Sequence, residues 1–437
     1  MALSIKKLSY SENSKRLIRN FLSLIVLRGF QFLIPLITLP YLVRTIGIGN
    51  YGQVNFALSL GLYFGAIIQF GFGITATREI ARRRDDPTKL AQIYSVTLTA
   101  SLILAAISSV LFTLIVLFFD KFNSHFHLYF FTMLFVVFQS LFPIWFFQGM
   151  EKMKYITLLS LGASAMFLIS LFSFVKQQDD FVLVPLLRST AALITFTLAI
   201  GLIRQQFKVK FTKPHWQEIK AIYQEGRHAF ISQLAPNLYN NSAVFLLGIF
   251  TSNTVVGLYT AATKVIDAVI SCAYILSNTF LPYLSRNLAR QKIFQKIMLG
   301  SGLVLTLTTY IFAEWITRLL FSAENIEITS YIQYLTICIL LLFVSMTYGT
   351  NYLMLIGKDR IVKNIALYTS ISFFIIALAL IPVAALTGVL VWADRVADEH
   401  ERSSELPAVP AAPSVGGVDP ALVTPVFSYR RTPASVA

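Results

Sequence analysis

The sequence predicts an all-α polytopic membrane protein, and three observations carry that reading. Of 437 residues, 56% are hydrophobic and only 13% charged, with a mean hydropathy of +0.68; an ordinary soluble domain is about 25% charged. Apolar runs of spanning length, about 20 residues, recur from Leu17 to about position 387. The basic residues behind the net charge of +15 gather in alternate connections between those runs.

Eleven runs are expected as spans. Run one covers 18–43 and carries Arg28, Pro35 and Pro40; run two covers 51–76 and ends in Phe70-Gly71-Phe72-Gly73. Runs three to six cover 90–119, 127–148, 155–175 and 181–203, with Pro143 in the fourth and Pro185 and Arg188 in the sixth. The first run exceeds a signal-peptide core and reads as a span. The long connection 204–227 holds Trp216, with Ile219, Ile222 and Tyr223 at helical spacing, which predicts a short interfacial helix. Runs seven to eleven cover 228–250, 254–283, 297–320, 329–356 and 363–387. Prolines inside runs one, four, six and seven (Pro236) interrupt helical hydrogen bonding and are candidate hinges, although membrane helices also tolerate them without such a role.

The charges orient these runs. Twenty-five Lys and Arg lie in the N-terminal segment, in the connections after runs two, four, eight and ten, and in 204–227; the alternate connections hold only Arg44, Lys121, Lys176 and Arg318. By the positive-inside rule the N-terminus and the central linker are cytoplasmic. Charges distributed in this way form no single basic face, so nucleic-acid binding is rejected.

A weak internal repeat follows. Arg78-Glu79-Ile80-Ala81-Arg82 matches Arg286-Asn287-Leu288-Ala289-Arg290, and Gly149-Met150-Glu151-Lys152 matches Gly357-Lys358-Asp359-Arg360, both at an offset of 208. Tyr51-Gly52 through Ala57 echoes Val256-Gly257 through Ala262 at an offset of 205. Two parallel-repeat six-helix bundles around a central cavity are expected, 1–203 and 228–387, joined by 204–227, with eleven spans present and the twelfth missing. The window for a twelfth helix holds Asp394, Arg395, Asp398, Glu399, Glu401, Arg402 and Glu405, too many charges for hydrocarbon. From Gly388 to Ala437 there is no Lys, Ile, Asn, Gln or Met, and six of the fifteen prolines lie there. Residues 388–437 therefore read as a disordered tail foreign to the fold; a natural tail on an eleven-span protein is the other reading.

Several stretches resemble a known family: Leu27-Arg28-Gly29-Phe30-Gln31-Phe32, Pro35-Leu36-Ile37-Thr38-Leu39-Pro40-Tyr41, Gly49-Asn50-Tyr51-Gly52, Phe70-Gly71-Phe72-Gly73-Ile74-Thr75-Ala76-Thr77-Arg78-Glu79, Trp145-Phe146-Phe147-Gln148-Gly149 and Gly257-Leu258-Tyr259-Thr260-Ala261-Ala262-Thr263-Lys264. Over about residues 15–385 the chain resembles the polysaccharide-exporter branch of the multidrug/oligosaccharidyl-lipid/polysaccharide flippase superfamily, and more narrowly Wzx-type O-antigen flippases. The family's Gly/Ala-rich last helix, ending in an acidic residue, has no counterpart here. The resemblance implies two bundles flanking a cavity that opens alternately to each side. It also implies an undecaprenyl-diphosphate-linked oligosaccharide as cargo, moved from cytoplasmic to periplasmic leaflet in a bacterial inner membrane. Partners would be membrane lipids and polysaccharide polymerase machinery.

Such a cargo needs cationic partners within the membrane, and three basic residues lie inside runs. Arg28 is about 15 Å into run one; it reads as a cavity ligand for diphosphate or as a structural tie to Gln31. Arg188, about 10 Å into run six, reads as a second ligand or as a snorkelling side chain. Lys264 and Asp267 share one face of run eight. They form either a neutralised packing pair, or an anion contact beside a gating or proton-carrying carboxylate. Arg44, beside Gly47 and Gly49, is a candidate periplasmic gate or an ordinary turn. Glu314, a turn from Arg318, reads as a coupling candidate or, better, as half of a structural pair.

Enzyme readings find little. Cys272 and Cys338 lie in apolar stretches, the only close histidine pair is His125 and His127, and no GxxxxGK[ST] occurs, so no metal, cofactor or direct ATP chemistry is expected. A small-molecule multidrug antiporter would favour acidic cavity residues. A membrane polysaccharide polymerase or ligase would favour large outer loops, and those here span at most about ten residues.

Overall fold

The computed structural model describes residues 12–286, 290–321, 325–358, 360–362, 364–365, 368–369 and 371–383. These lie in a compact unit, Met1–Ala385, distinct from Leu386–Ala437; the expectations for the tail fall outside the described residues.

Every regular element among the described residues is helical: α1 Glu12–Gln69, α2 Phe72–Arg83, α3 Pro87–Phe118, α4 Asp120–Asn123, α5 Phe126–Leu141, α6 Ile144–Gly149, α7 Met153–Phe174, α8 Leu183–Gln206, α9 Trp216–Phe250, α10 Asn253–Arg286, α11 Gln291–Ile311, α12 Ala313–Leu320, α13 Ile328–Ser345 and α14 Ile371–Val383. A 3₁₀ turn, Gln178–Val182, precedes α8, and a π-helical turn, Met346–Leu353, extends α13. Helices close their backbone hydrogen bonds within one segment, which is what a bilayer demands. Large apolar side chains point outward, among them Phe118 (80% exposed) and Ile311 (70%), as expected where lipid rather than protein provides the covering.

Among the described residues seven helices are long and apolar enough to cross a membrane, or eight if the bent pair α11–α12 is one span. The eleven expected runs map onto these helices with changes. Runs one and two form one helical stretch, bent at Gly47, where φ is 80° and ψ 159°. Only glycine takes such a conformation without strain, so Gly47 makes the bend, while Pro35 and Pro40 sit inside helix. Run four breaks at Pro143, between α5 and α6. Run nine bends by 62° at Phe312. Run seven forms the second half of α9, and the apolar part of run eleven forms a shorter helix, Ile371–Val383.

The expected separate interfacial helix is corrected. α9 starts at Trp216 and continues without interruption through Pro236 to Phe250. Its first turn is capped by Glu218, whose Oε2 accepts from His215 N at 2.9 Å. Its first half then docks on the N-terminal half of the chain: Tyr223 donates to the Ala100 carbonyl at 2.7 Å, and Phe230 stacks on Phe70 at 4.7 Å. Docking along its length keeps this segment helical, so linker and span are one rod.

Glu218 also accepts from the Gln92 side chain. Its carboxyl is held below the ordinary carboxylate range, first by the His215 backbone N–H and then by Gln92. Because the folded pKa is depressed, this contribution is present above the ordinary carboxylate range and is lost as pH falls through the lowered value. Acidification through that window, or Glu218→Ala at neutral pH, should lower the amide-exchange protection factors over residues 216–223, measured against the intrinsic rate at each pH. Protection that is indifferent to both would remove Glu218 as the cap.

Candidate functional site

α1, α5, α6, α7 and α8 enclose a cavity of about 480 Å³, with one contribution from α10. Its wall is carried chiefly by three helices: Phe135, Phe138 and Gln139 in the second half of α5, Ser160, Ser164 and Phe167 on α7, and Arg188, Ala191 and Thr195 on α8. From α1 come Thr38 and Leu42 before the Gly47 bend, and Tyr51 and Asn55 after it. The bend thus lets one helix line the cavity twice. Lys264 enters from α10.

Two of the three expected intramembrane cations therefore meet in one place, although 76 positions separate Arg188 from Lys264. The Arg188 guanidinium lies over the Phe167 ring, 5.0 Å from its centroid, and 6.0 Å from that of Phe135. Among the described residues it forms no ion pair. Ring faces orient a guanidinium without neutralising it, which leaves its planar fork free for an oxyanion. Lys264 Nζ is 3.7 Å from Asp267 Oδ2, both side chains about half exposed. This is a loose pair, at the outer limit of a charge contact. Among the described residues no Asp or Glu lines the cavity; its polar wall is Thr38, Tyr51, Asn55, Gln139, Ser160, Ser164 and Thr195 beside the two cations.

The other expected site residues lie elsewhere. Arg28 is on α1, six residues or about 9 Å before the cavity residue Ile34; its side chain falls outside the described residues. Arg44 is outside the cavity, donating to the Leu319 carbonyl at 3.2 Å. Glu314 accepts from Arg318 at 2.7 Å on the exposed face of α12, the geometry of a surface pair.

Sequence reasoning missed the neutral wall. One signal was present, since Ser160, Ser164 and Phe167 recur at helical spacing, as do Arg188 and Thr195. In an apolar run such a polar stripe marks a face turned away from lipid. Tyr51 and Asn55 share that spacing, but only the Gly47 bend sets them beside Thr38 and Leu42, and Gln139 enters through the approach of α5.

Comparison with known proteins bears on this site. The family described as "Polysaccharide biosynthesis protein" matches residues 17–288. An Escherichia coli (strain K12) protein named "Putative O-antigen transporter" is 28% identical over 291 residues, 67% of this chain and 70% of its own. A Shigella dysenteriae protein of the same name is 27% identical over 268 residues, 61% and 67% of the two chains. Among solved structures, an inward-facing multidrug resistance MATE family transporter of the MOP superfamily superposes with a TM-score of 0.54 at 16% identity, covering 84% of this chain and 96% of its own. A mutant Vibrio cholerae MATE transporter gives 0.50 at 17% identity, covering 90% and 97%. At these identities the two structures share the fold and carry nothing about cargo.

Proposed function

Because this chain belongs to the polysaccharide biosynthesis protein family, a family of multi-pass membrane transporters rather than enzymes, we propose that it is a flippase for lipid-linked oligosaccharide. The cargo is an undecaprenyl-diphosphate-linked repeat unit of surface polysaccharide, carried from the cytoplasmic to the periplasmic leaflet of a bacterial inner membrane by alternating access. The observation that carries this reading is the cavity wall, which among the described residues has two cations, neutral polar groups and no carboxylate.

The chemistry follows from that wall. A diphosphate loses its hydration on entering the bilayer and needs charge-assisted donors in return. Arg188 offers paired donors from a position fixed by two rings, and Lys264 offers a mobile point charge. Lys264 exchanges Asp267 for the arriving phosphate, and Asp267 is then free to gate or to carry a coupling proton. Arg28 supplies a third cation along the α1 path. Hydroxyl and amide groups of Ser160, Ser164, Asn55 and Gln139 suit sugar hydroxyls. The volume falls within the usual range for small-ligand sites, so the cavity takes the diphosphate and adjoining sugar while the isoprenoid tail stays in lipid.

Among the described residues the lining holds no acidic side chain, which argues against a cation-exporting antiporter. Short outer connections, such as Thr251–Ser252 between α9 and α10, leave little room for a polymerase or ligase site. Deleting the gene should strand lipid-linked repeat units on the cytoplasmic leaflet and strip the surface of the corresponding polysaccharide. Normal surface polysaccharide after a clean deletion would sink the proposal.

A further inference from the structure

Gly52 on α1 and Gly257 on α10 meet where these two helices, the most extensively packed pair in the fold, touch most closely. A Cβ added to Gly52 would overlap the Asn253 carbonyl oxygen, and one added to Gly257 would overlap the Ile48 carbonyl oxygen. The two contacts are reciprocal in sequence as well as in space. Gly257 stands 205 positions after Gly52, and Asn253 stands the same 205 after Ile48. Each half thus presses a glycine against the other half's carbonyl four residues before the matching glycine, as an approximate two-fold axis between the helices requires.

The seam adjoins the cavity. Tyr51 and Asn55 flank Gly52 on α1 and line the cavity, and Lys264 follows Gly257 by two turns on α10 and lines it too. Two charged ties hold the same end of the molecule. Arg44 donates to the carbonyl of Leu319, the penultimate residue of α12, and Lys121 donates at 2.8 Å to that of Ile249, the penultimate residue of α9. Both acceptors are last-turn carbonyls that lack helical partners and carry the negative end of the helix dipole. In each case a cation from the N-terminal half holds a helix end in the C-terminal half.

We infer that the reciprocal Gly52–Gly257 contact, tied by Arg44 and Lys121, is a gate that seals the cavity at the Arg44 end and separates when the cavity opens there. Glycine is required at both positions because the backbones touch, so any side chain holds the seam apart. Gly49 serves as the internal control, since a Cβ there would make only an ordinary 3.6 Å contact with Thr254 Oγ1.

The test uses a Cys272→Ser, Cys338→Ser background with Ser164→Cys as a cavity reporter, labelled by a membrane-impermeant maleimide from the Arg44 side. Gly52→Ala and Gly257→Ala should each raise labelling several-fold, and Gly49→Ala should leave it unchanged. Unchanged labelling in folded Gly52→Ala and Gly257→Ala variants overturns the gate. A second arm needs no alanine variant. Gly49→Cys paired with Thr254→Cys, without the reporter, should cross-link readily with diamide, and the locked protein should lose polysaccharide export until dithiothreitol restores it. Failure to cross-link overturns the gate, as does export unaffected by the lock in cells whose polysaccharide export depends on this chain. Labelling and cross-linking read the seam without any cargo, so the gate and the cargo assignment fail separately.

Discussion

Replacing Arg188 by glutamine is expected to cut export of surface polysaccharide by at least about tenfold while the protein remains folded. Losing a hydrogen bond between charged partners costs about 1.5–3 kcal/mol, which is about one to two orders of magnitude in affinity. Arg188 has no carboxylate partner among the described residues, so its substitution leaves no orphaned buried charge. Arg188→Lys keeps the charge and loses the fork, and should export at an intermediate level. Gel-filtration behaviour in detergent controls for folding, and surface polysaccharide reports export. Wild-type export by Arg188→Gln would remove this residue from the site and leave Lys264 as the cation in the described wall.

The largest stability effect is expected at the other end of the N-terminal half. Phe146 is fully buried in an aromatic cluster, with ring centroids 5.8 Å from Tyr94, 5.8 Å from Phe147 and 5.3 Å from Phe207. Phe146→Ala leaves a cavity that α2, α3, α7 and α8 cannot all move to fill, at a cost of about 3–5 kcal/mol. The thermal unfolding midpoint in detergent should fall well below that of the parent. Phe118→Ala, at a side chain 80% exposed, should shift it little. Equal midpoints for the two variants would show that the cluster is not the core of this half.

Particular residues show where the sequence sufficed and where it did not. Hydropathy and the alternation of basic connections located the helical runs, because a segment in hydrocarbon must satisfy its backbone locally and its residues must be mostly apolar. The i+4 pair Glu314–Arg318 and the i+3 pair Lys264–Asp267 were readable for the same reason: helix geometry alone brings them within reach. The bends were harder. Pro35 and Pro40 drew attention as breakers, yet the chain turns at Gly47, because proline fits within a helix whose neighbours absorb the lost bond. The continuity of α9 was hidden as well, since its polar first half packs on α2 and α3, partners distant in sequence.

By itself, then, the sequence determined the membrane class, the position of most helices and the intramembrane cations that needed an explanation. These are local properties, set by about 20 consecutive residues and the water or lipid around them. Only the tertiary structure decided that Arg188 and Lys264 share a cavity, that Phe167 and Phe135 hold the guanidinium, and that Gly52 and Gly257 meet. Those facts depend on which helix faces pack together, and that choice rests on side-chain shape across distant segments, where an apolar run in lipid gains almost nothing from hydrophobicity and nearly everything from fit.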